Sequence, residues 1–461
     1  MLILMKGVAH RSARSTAMGG VVVTTISAFR NPTGSVAMFV LLAGAVAAQE
    51  GNDALYQAAV AEARRIAEGQ DLSGYVEMIG QNSGVEGQTL EQVYAAFEEG
   101  TGVEIRYTGT PDQTAIVQSR LQAGNPPDVA DLQLGMAQDF AERGLLADLS
   151  SAFGDELAAN FSEMLLSTAT HDGKVFGVYQ GLNPFMLWYN PQAYAGPRPP
   201  QDWQAIVEWT ESEAEAGRTA WCAAQGAGAS SGFSGAQMIE NIFLKKYGPD
   251  LYRQWGAGEL PWTSAEVRDA FEEFGRVIAA DGHLQGGAIG AISTSIATGY
   301  NPLTADPPGC SLVLWGAWVP GLIGESARPG ETIDFFRVPA SDPAYDSYEL
   351  FQSALAVGFN DRPETKAFLR FMASTPAQTY LASLNRWPVA NRNVPVDTYP
   401  SPLLREIATE FLGPDGVEFA AGPNLMASAA TSTAFYRGVV SYMQDPSSLD
   451  RILETIEATT E

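Results

Sequence analysis

A chain of 461 residues is too long for one hydrophobic core and predicts two domains. Its 46% hydrophobic and 10% aromatic content excludes a disordered polymer. With 27 Lys and Arg against 53 Asp and Glu, the net charge of −26 repels phosphate backbones and anionic membrane surfaces, which argues against nucleic-acid binding.

In chain order, Arg30 precedes an apolar run from Val36 to Ala48 that ends in the small residues Ala45, Val46 and Ala47. That is the order of a cleaved Sec signal peptide, with Met18 as an alternative start. The run of about 13 residues falls short of the roughly 20 that a membrane span needs. Residues 1–48 are therefore expected to be removed on export. No cysteine near the cleavage site offers a lipid anchor, and a freely soluble exported protein needs an outer membrane to retain it, so a periplasmic location is expected.

Residues 49–70 read as a leading helix, with Leu55, Ala59, Ala63 and Ile66 at helical spacing. Tyr75–Gly80 reads as a strand. Leu90, Val93, Tyr94 and Phe97 mark an amphipathic helix. Val103, Ile105 and Tyr107 alternate with polar residues as a second strand. Thr110, Pro111 and Asp112 predict a helix start with Thr110 as N-cap, Pro111 in the first position and Asp112 in the first turn. Strand, helix, strand, helix implies parallel strands joined by crossover helices. Further on, Val267 to Val277 and Leu449 to Ile456 carry helical patterns, and Ser311–Leu314 and Thr332–Val338 read as strands.

Only two cysteines occur, Cys222 and Cys310. In an oxidising compartment they are expected to pair, with two buried thiols as the alternative. A bridge closing their roughly 90-residue loop would stabilise by at most about 4–5 kcal/mol on the chain-entropy model. Two cysteines with His171 and His283 show no metal-ligand spacing, so neither metal nor cofactor is expected. Gly228 to Gly232 matches G-x-S-x-G, but no apolar strand precedes it and only His283 follows as a base, which argues against a serine hydrolase. No motif marks a glycosidase carboxylate pair. The chain is expected not to be an enzyme.

The segment Phe97–Leu149, FEEGTGVEIRYTGTPDQTAIVQSRLQAGNPPDVADLQLGMAQDFAERGLLADL, resembles the first lobe of bacterial extracellular solute-binding proteins of the ABC-transporter carbohydrate family (family 1). Lys174–Tyr179 with Leu187–Asn190 resembles that family's first crossing between lobes. The PPQDW turn ending at Trp203 and the stretches Trp315–Ile323, Ile333–Pro339 and Tyr348–Asn360 also resemble it. Trp221-Cys222, Ile239–Leu244, Gly309-Cys310, Trp387–Val394, Asn424–Ala427 and Ala434–Tyr436 resemble the α-glucoside-binding branch, with departures. Phe233–Met238 stands where that branch carries a W-P-x-T-D-W-like stretch, and Asn424 and Tyr436 stand where it carries an acid and a Trp.

The resemblance implies an α/β, two-lobe periplasmic binding protein fold (type II), with the ligand cleft between lobes joined by hinge crossings. The expected divisions are a first lobe from 71–180 and 336–385, and a second from 181–335 and 386–461. It implies that Cys222 and Cys310 are disulfide-bonded. It also implies the capture of a neutral oligosaccharide, an α-glucoside, by a monomer that delivers it to ABC permease subunits with a cytoplasmic ATPase. A same-fold protein for a non-sugar solute is the alternative. Sugars stack C–H faces on aromatic rings, and their hydroxyls suit planar amides. On those terms the candidate ligand residues are Gln81, Asn82, Gln133, Tyr179, Gln180 and Asn183 toward the first lobe. Toward the second they are Phe233, Gln237, Trp318, Gln352, Trp387, Asn424 and Tyr436. Trp188, Trp203, Trp209 and Trp255 are assigned to core or lobe surface.

Overall fold

The computed structural model describes residues 35–412 and 417–460, with side chains from residue 51. Residues 1–51 form one unit and 52–461 another. In the first, the described residues are helical from Ser35, where α1 (Ser35–Ala67) begins. The expected signal peptide, residues 1–48, lies wholly outside the described side chains. No helix among the described residues is long and apolar enough to cross a membrane.

In the second unit the chain runs through β1 (Tyr75–Gly80), α2 (Gly84–Thr101), β2 (Glu104–Gly109), α3 (Gln113–Gln122), β3 (Val129–Gln133), α4 (Leu134–Glu142), β4 (Gly177–Tyr179) and β5 (Asn183–Tyr189). Next come α5 (Trp203–Glu215), α6 (Phe233–Gly256), α7 (Ala265–Val277), β6 (Leu312–Gly316), β7 (Asp334–Phe336), β8 (Tyr348–Gln352) and β9 (Ala354–Gly358). The chain ends with α8 (Pro363–Ala373), β10 (Glu418–Ala420), α9 (Pro423–Met426), α10 (Ala429–Gln444) and α11 (Leu449–Glu457).

Local chemistry sets these elements. In α2, Leu90, Val93, Tyr94 and Phe97 are all buried, as their spacing predicts. The helix stops at Gly102, whose left-handed φ of 76° lets its N–H reach Glu98 O at 2.8 Å. The leading helix buries Ala59, Val60, Ala63 and Ile66 against the first core. It crosses α2 at Gly100, where a Cβ would fall 2.4 Å from Ala63 Cβ. One expected cap is corrected: α3 starts at Gln113, not at Pro111. The Thr110 hydroxyl instead accepts from the Asp112 N–H at 3.2 Å, so the backbone completes a turn before the helix begins.

The first sheet has the order β2-β1-β3-β9-β4. β1 pairs parallel with both β2 and β3, while β9 is antiparallel to β3 and β4. The second sheet runs β10-β8-β5-β6, with β7 also paired to β5. Each sheet has its own hydrophobic core. The chain leaves the first sheet at Tyr179 and enters the second at Asn183, and it returns from Gln352 to Ala354 with only Ser353 between. The expected lobe boundaries shift accordingly. Val338 and Leu350 pack in the second core because β8 pairs with β5 and β10, and Val389, Ala390, Val394 and Tyr399 pack in the first. The second core holds Trp188, Trp221, Trp255, Trp262 and Trp315, all fully buried. Cys222 and Cys310 are disulfide-bonded there with Cα atoms 5.6 Å apart, beside the bond from Cys222 N to Leu312 O.

Candidate functional site

The carboxyl ends of β1, β3 and β4 open along one edge of the first sheet, the usual place for a ligand in such sheets. They present Gln81 and Asn82, then Gln133, then Gln180. Gln133 Nε2 donates to Gln81 Oε1 at 3.3 Å, and Gln180 Nε2 donates to Asp131 Oδ1 at 3.4 Å. Tyr107 OH donates to Asn82 O at 2.7 Å. The loop lies so close to β2 that a Cβ on Gly109 would sit 1.9 Å from Asn82 O, so only glycine fits there.

Across this edge lies a cavity of about 210 Å³ walled by both lobes. Gln81, Asn82, Gln180, Asn183, Trp318 and Trp387 line it, together with Asp131, Glu86 and Arg386. Trp318 stands edge-on to Phe185 and Trp315, with ring centroids at 5.5 and 5.2 Å. Trp387 lies against Gly181, where a Cβ would be 2.5 Å from its Cδ1.

The second lobe contributes one face of α6. Phe233, Gln237 and Glu240 recur at four- and three-residue spacing and so share that face. Gln237 Nε2 donates to Gln352 Oε1 at 3.3 Å and to Asn424 Oδ1 at 3.4 Å, and its Oε1 accepts from Trp315 Nε1 at 2.7 Å. Gln352 sits opposite Asn183 in the β8–β5 register, which sets the amide cluster beside the cavity. Phe233 and Tyr436 form an edge-on pair at 5.5 Å.

Two expected ligand residues take other roles. Tyr179 is buried in the first core, its hydroxyl 2.8 Å from Thr168 Oγ1 and its ring edge-on to Phe351. A two-residue alternation could not tell this face of β4 from the cleft face. Gln237 is fully buried and hydrogen-bonded to Gln352, Asn424 and Trp315, which ties these three segments together. Gln133, Phe233, Gln352, Asn424 and Tyr436 do not line the 210 Å³ cavity.

Two carboxyls escaped the sequence reading. Asp131 lies two residues before Gln133 on β3, and Glu240 lies one turn after Gln237; strand and helix spacing were the signals that pointed to them. Burial pushes Asp131 up to about 7, and Glu240 up to about 8. Burial also pushes Glu349, in the second core, up to about 7 against the pull of Lys245. The folded chain thus holds protons that carboxyls in an unfolded chain release near pH 4. Their stabilisation is complete below that pH and is lost as pH rises through about 7–8. The melting temperature is expected to fall by at least about 2–4 °C between pH 5 and pH 9. The combined Asp131→Asn and Glu240→Gln variant should flatten the profile. Melts followed by circular dichroism check this, and a flat wild-type profile would mean that these carboxyls are ionised in the folded chain.

A second cavity, of about 1010 Å³, is lined by Met164, Leu182, Tyr348, Phe419 and Met426 among others, and by none of the expected ligand residues. Gly181 and Asn183 line the smaller cavity and Leu182 the larger. Successive residues of the extended crossing thus face opposite sides. The G-x-S-x-G match falls on an exposed 3-10 turn, Gly228–Ser230, with no strand before it. The Nδ1 of His283 lies 3.0 Å from Val277 O, not beside Ser230. No cluster of His, Cys, Asp and Glu fit to hold a metal is found among the described residues.

The model of the bacterial extracellular solute-binding protein family matches residues 81–379. The chain belongs to this family. It is 28% identical over 387 residues to the osmoprotective compounds-binding protein GgtB of Synechocystis sp., covering 83% of this chain and 91% of GgtB. It is 29% identical over 399 residues to the α-glucosides-binding periplasmic protein AglE of Rhizobium meliloti, covering 83% and 86%. Among solved structures it is similar to the bacterial solute receptor AcbH, with a TM-score of 0.70 at 15% identity over 84% of this chain and 98% of AcbH. It is also similar to a chitin oligosaccharide binding protein, with a TM-score of 0.68 at 17% identity over 84% and 97%. Apo RafE from Streptococcus pneumoniae matches with a TM-score of 0.66 at 16% identity over 85% and 98%. The fold is the two-lobe fold of periplasmic solute-binding proteins, and the protein is a bacterial extracellular solute-binding protein.

Proposed function

We propose that the protein binds a neutral saccharide, an α-glucoside, between its lobes and delivers it to an ABC permease. The observation that carries this reading is the interlobe cavity at the strand ends, where the amides Gln81, Asn82, Gln180 and Asn183 stand with Trp318 and Trp387. Amides match vicinal hydroxyls and indole rings match sugar C–H faces. The name of AglE supports an α-glucoside, and that of GgtB puts osmoprotective compounds on the same test. The protein works as an exported, periplasmic monomer. Contacts made by the second lobe exist only when the lobes approach, so bound solute favours closure.

Calorimetric titration with maltose, trehalose, sucrose, isomaltulose, glucose and a polyol tests the reading. Saturable one-to-one binding of one of these supports it, and silence across the panel from folded protein rejects the saccharide. With the sugar that binds, Trp318→Ala is expected to cost about 1–3 kcal/mol through lost burial. Tyr436→Ala should cost less, because that ring packs on Phe233 outside the cavity. Equal affinities for wild type and Trp318→Ala would remove Trp318 from the site.

A further inference from the structure

Helix α9 has four residues, too few to hold its own shape. It stands between the lobes, packed on α6 of the second and α4 of the first, with Leu425 in the first core. Both approaches depend on glycine. A Cβ on Gly135 of α4 would lie 2.7 Å from Ala427 O, and a Cβ on Gly422 would lie 2.2 Å from Tyr252 Cζ. Tertiary contacts therefore fix where α9 carries Asn424.

One polar contact ties this segment down from below. The Asn424 N–H donates to Glu240 Oε2 at 2.8 Å, and Tyr252 OH donates to the same oxygen at 2.6 Å. Glu240 is fully buried, and its Oε1 has no partner. Burial, and after it the Glu240 carboxyl, push the Tyr252 and Tyr436 hydroxyls up. A buried carboxyl is costly to keep unless it does something that an apolar side chain cannot. Here it accepts the N–H of a segment that meets both lobes.

We infer that Glu240 is a positioning residue for solute binding: by holding the Asn424 N–H it sets the Gln237–Gln352–Asn424 amide cluster and couples that cluster to the α9–α4 contact between the lobes. This rests on the cleft being the solute site. Gln352, paired in register with the cavity-lining Asn183, then depends through Gln237 and Asn424 on a residue that touches no solute.

The test compares Glu240→Ala, Glu240→Gln and Tyr252→Phe by titration with whichever sugar of the panel the wild type binds, and by hydrogen–deuterium exchange of the peptide spanning residues 421–427. Glu240→Ala is expected to raise Kd at least about tenfold and to speed exchange in that peptide. Glu240→Gln keeps an acceptor for the Asn424 N–H and should restore affinity to within about threefold. Tyr252→Phe removes the other hydrogen bond but leaves the Asn424 contact, so its Kd should stay within about twofold. Should Glu240→Ala fail to fold, Glu240→Asp, which draws the carboxyl back by one methylene, reads the same two quantities. Wild-type Kd and unchanged exchange in a folded Glu240→Ala protein would overturn the proposal. If wild type binds none of the sugars, the saccharide reading fails, while exchange at 421–427 still decides whether Glu240 holds the segment.

Discussion

Lys245→Met is expected to destabilise the protein by about 3–5 kcal/mol, the usual cost of removing one partner from a buried ion pair. Lys245 Nζ, on α6, donates to Glu349 Oε1 at 2.8 Å and to Asp346 O at 3.1 Å. The two side chains are 2% and 0% exposed. Burial pushes Lys245 down and Glu349 up, and each charge partly offsets the shift of the other. Arg337 stands 3.9 Å from Glu349, but it also pairs with Asp346 and Glu410, so it replaces Lys245 poorly. Without Lys245 the carboxyl must be buried as an unpaired charge or take up a proton, so the loss should shrink toward pH 5. Lys245→Met combined with Glu349→Leu should recover most of the stability, because two apolar side chains leave no charge uncompensated. Urea denaturation of the wild type and the two variants at pH 5 and pH 8 checks this. A double variant no more stable than the single one would place the value of the pair in its geometry.

The second large effect is expected from Cys222→Ala with Cys310→Ala: a loss of up to about 4–5 kcal/mol on the chain-entropy model. The bridge spans a sequence separation of 88. The backbone already brings its ends together, since Cys222 N reaches Leu312 O at 2.9 Å and Trp221 bridges to Leu312. The folded contacts therefore survive the substitution, and the loss falls on the denatured chain, which gains freedom. Neither cysteine lines a described cavity, so solute affinity at 25 °C should remain within about twofold while denaturant stability drops. Urea titration with and without reductant measures it. A loss below about 1 kcal/mol would mean that the reduced denatured chain keeps the loop compact.

Much of this protein was legible before its structure. The helix at Leu90 to Phe97 and the parallel strands around it followed from periodicity, which is a property of neighbours in sequence. With only two cysteines, pairing had one possible partner. The loops after the first strands set Gln81, Asn82 and Gln180 along the cavity because polar residues at the ends of buried strands have few other places to go. Trp318 and Trp387 line the cavity beside them.

What the sequence could not determine depends on contacts between distant segments. The strand Tyr348–Gln352 joined the second sheet because of its pairing with Asn183 and with Glu418 to Ala420. Tyr179 turned inward because Thr168 and Phe351 were there to receive it. Gln237 became an internal organiser because Trp315, Gln352 and Asn424 converge on it from three other segments. Asp131 and Glu240 are ordinary acids in a chain rich in acids until the fold removes their water. The sequence by itself determined the local elements, the disulfide partners and the family, since periodicity, cysteine count and motif order are written along one dimension. The tertiary structure alone decided which polar side chains face the cleft and which are buried beneath it, because burial and charge state depend on what the rest of the chain packs around each group.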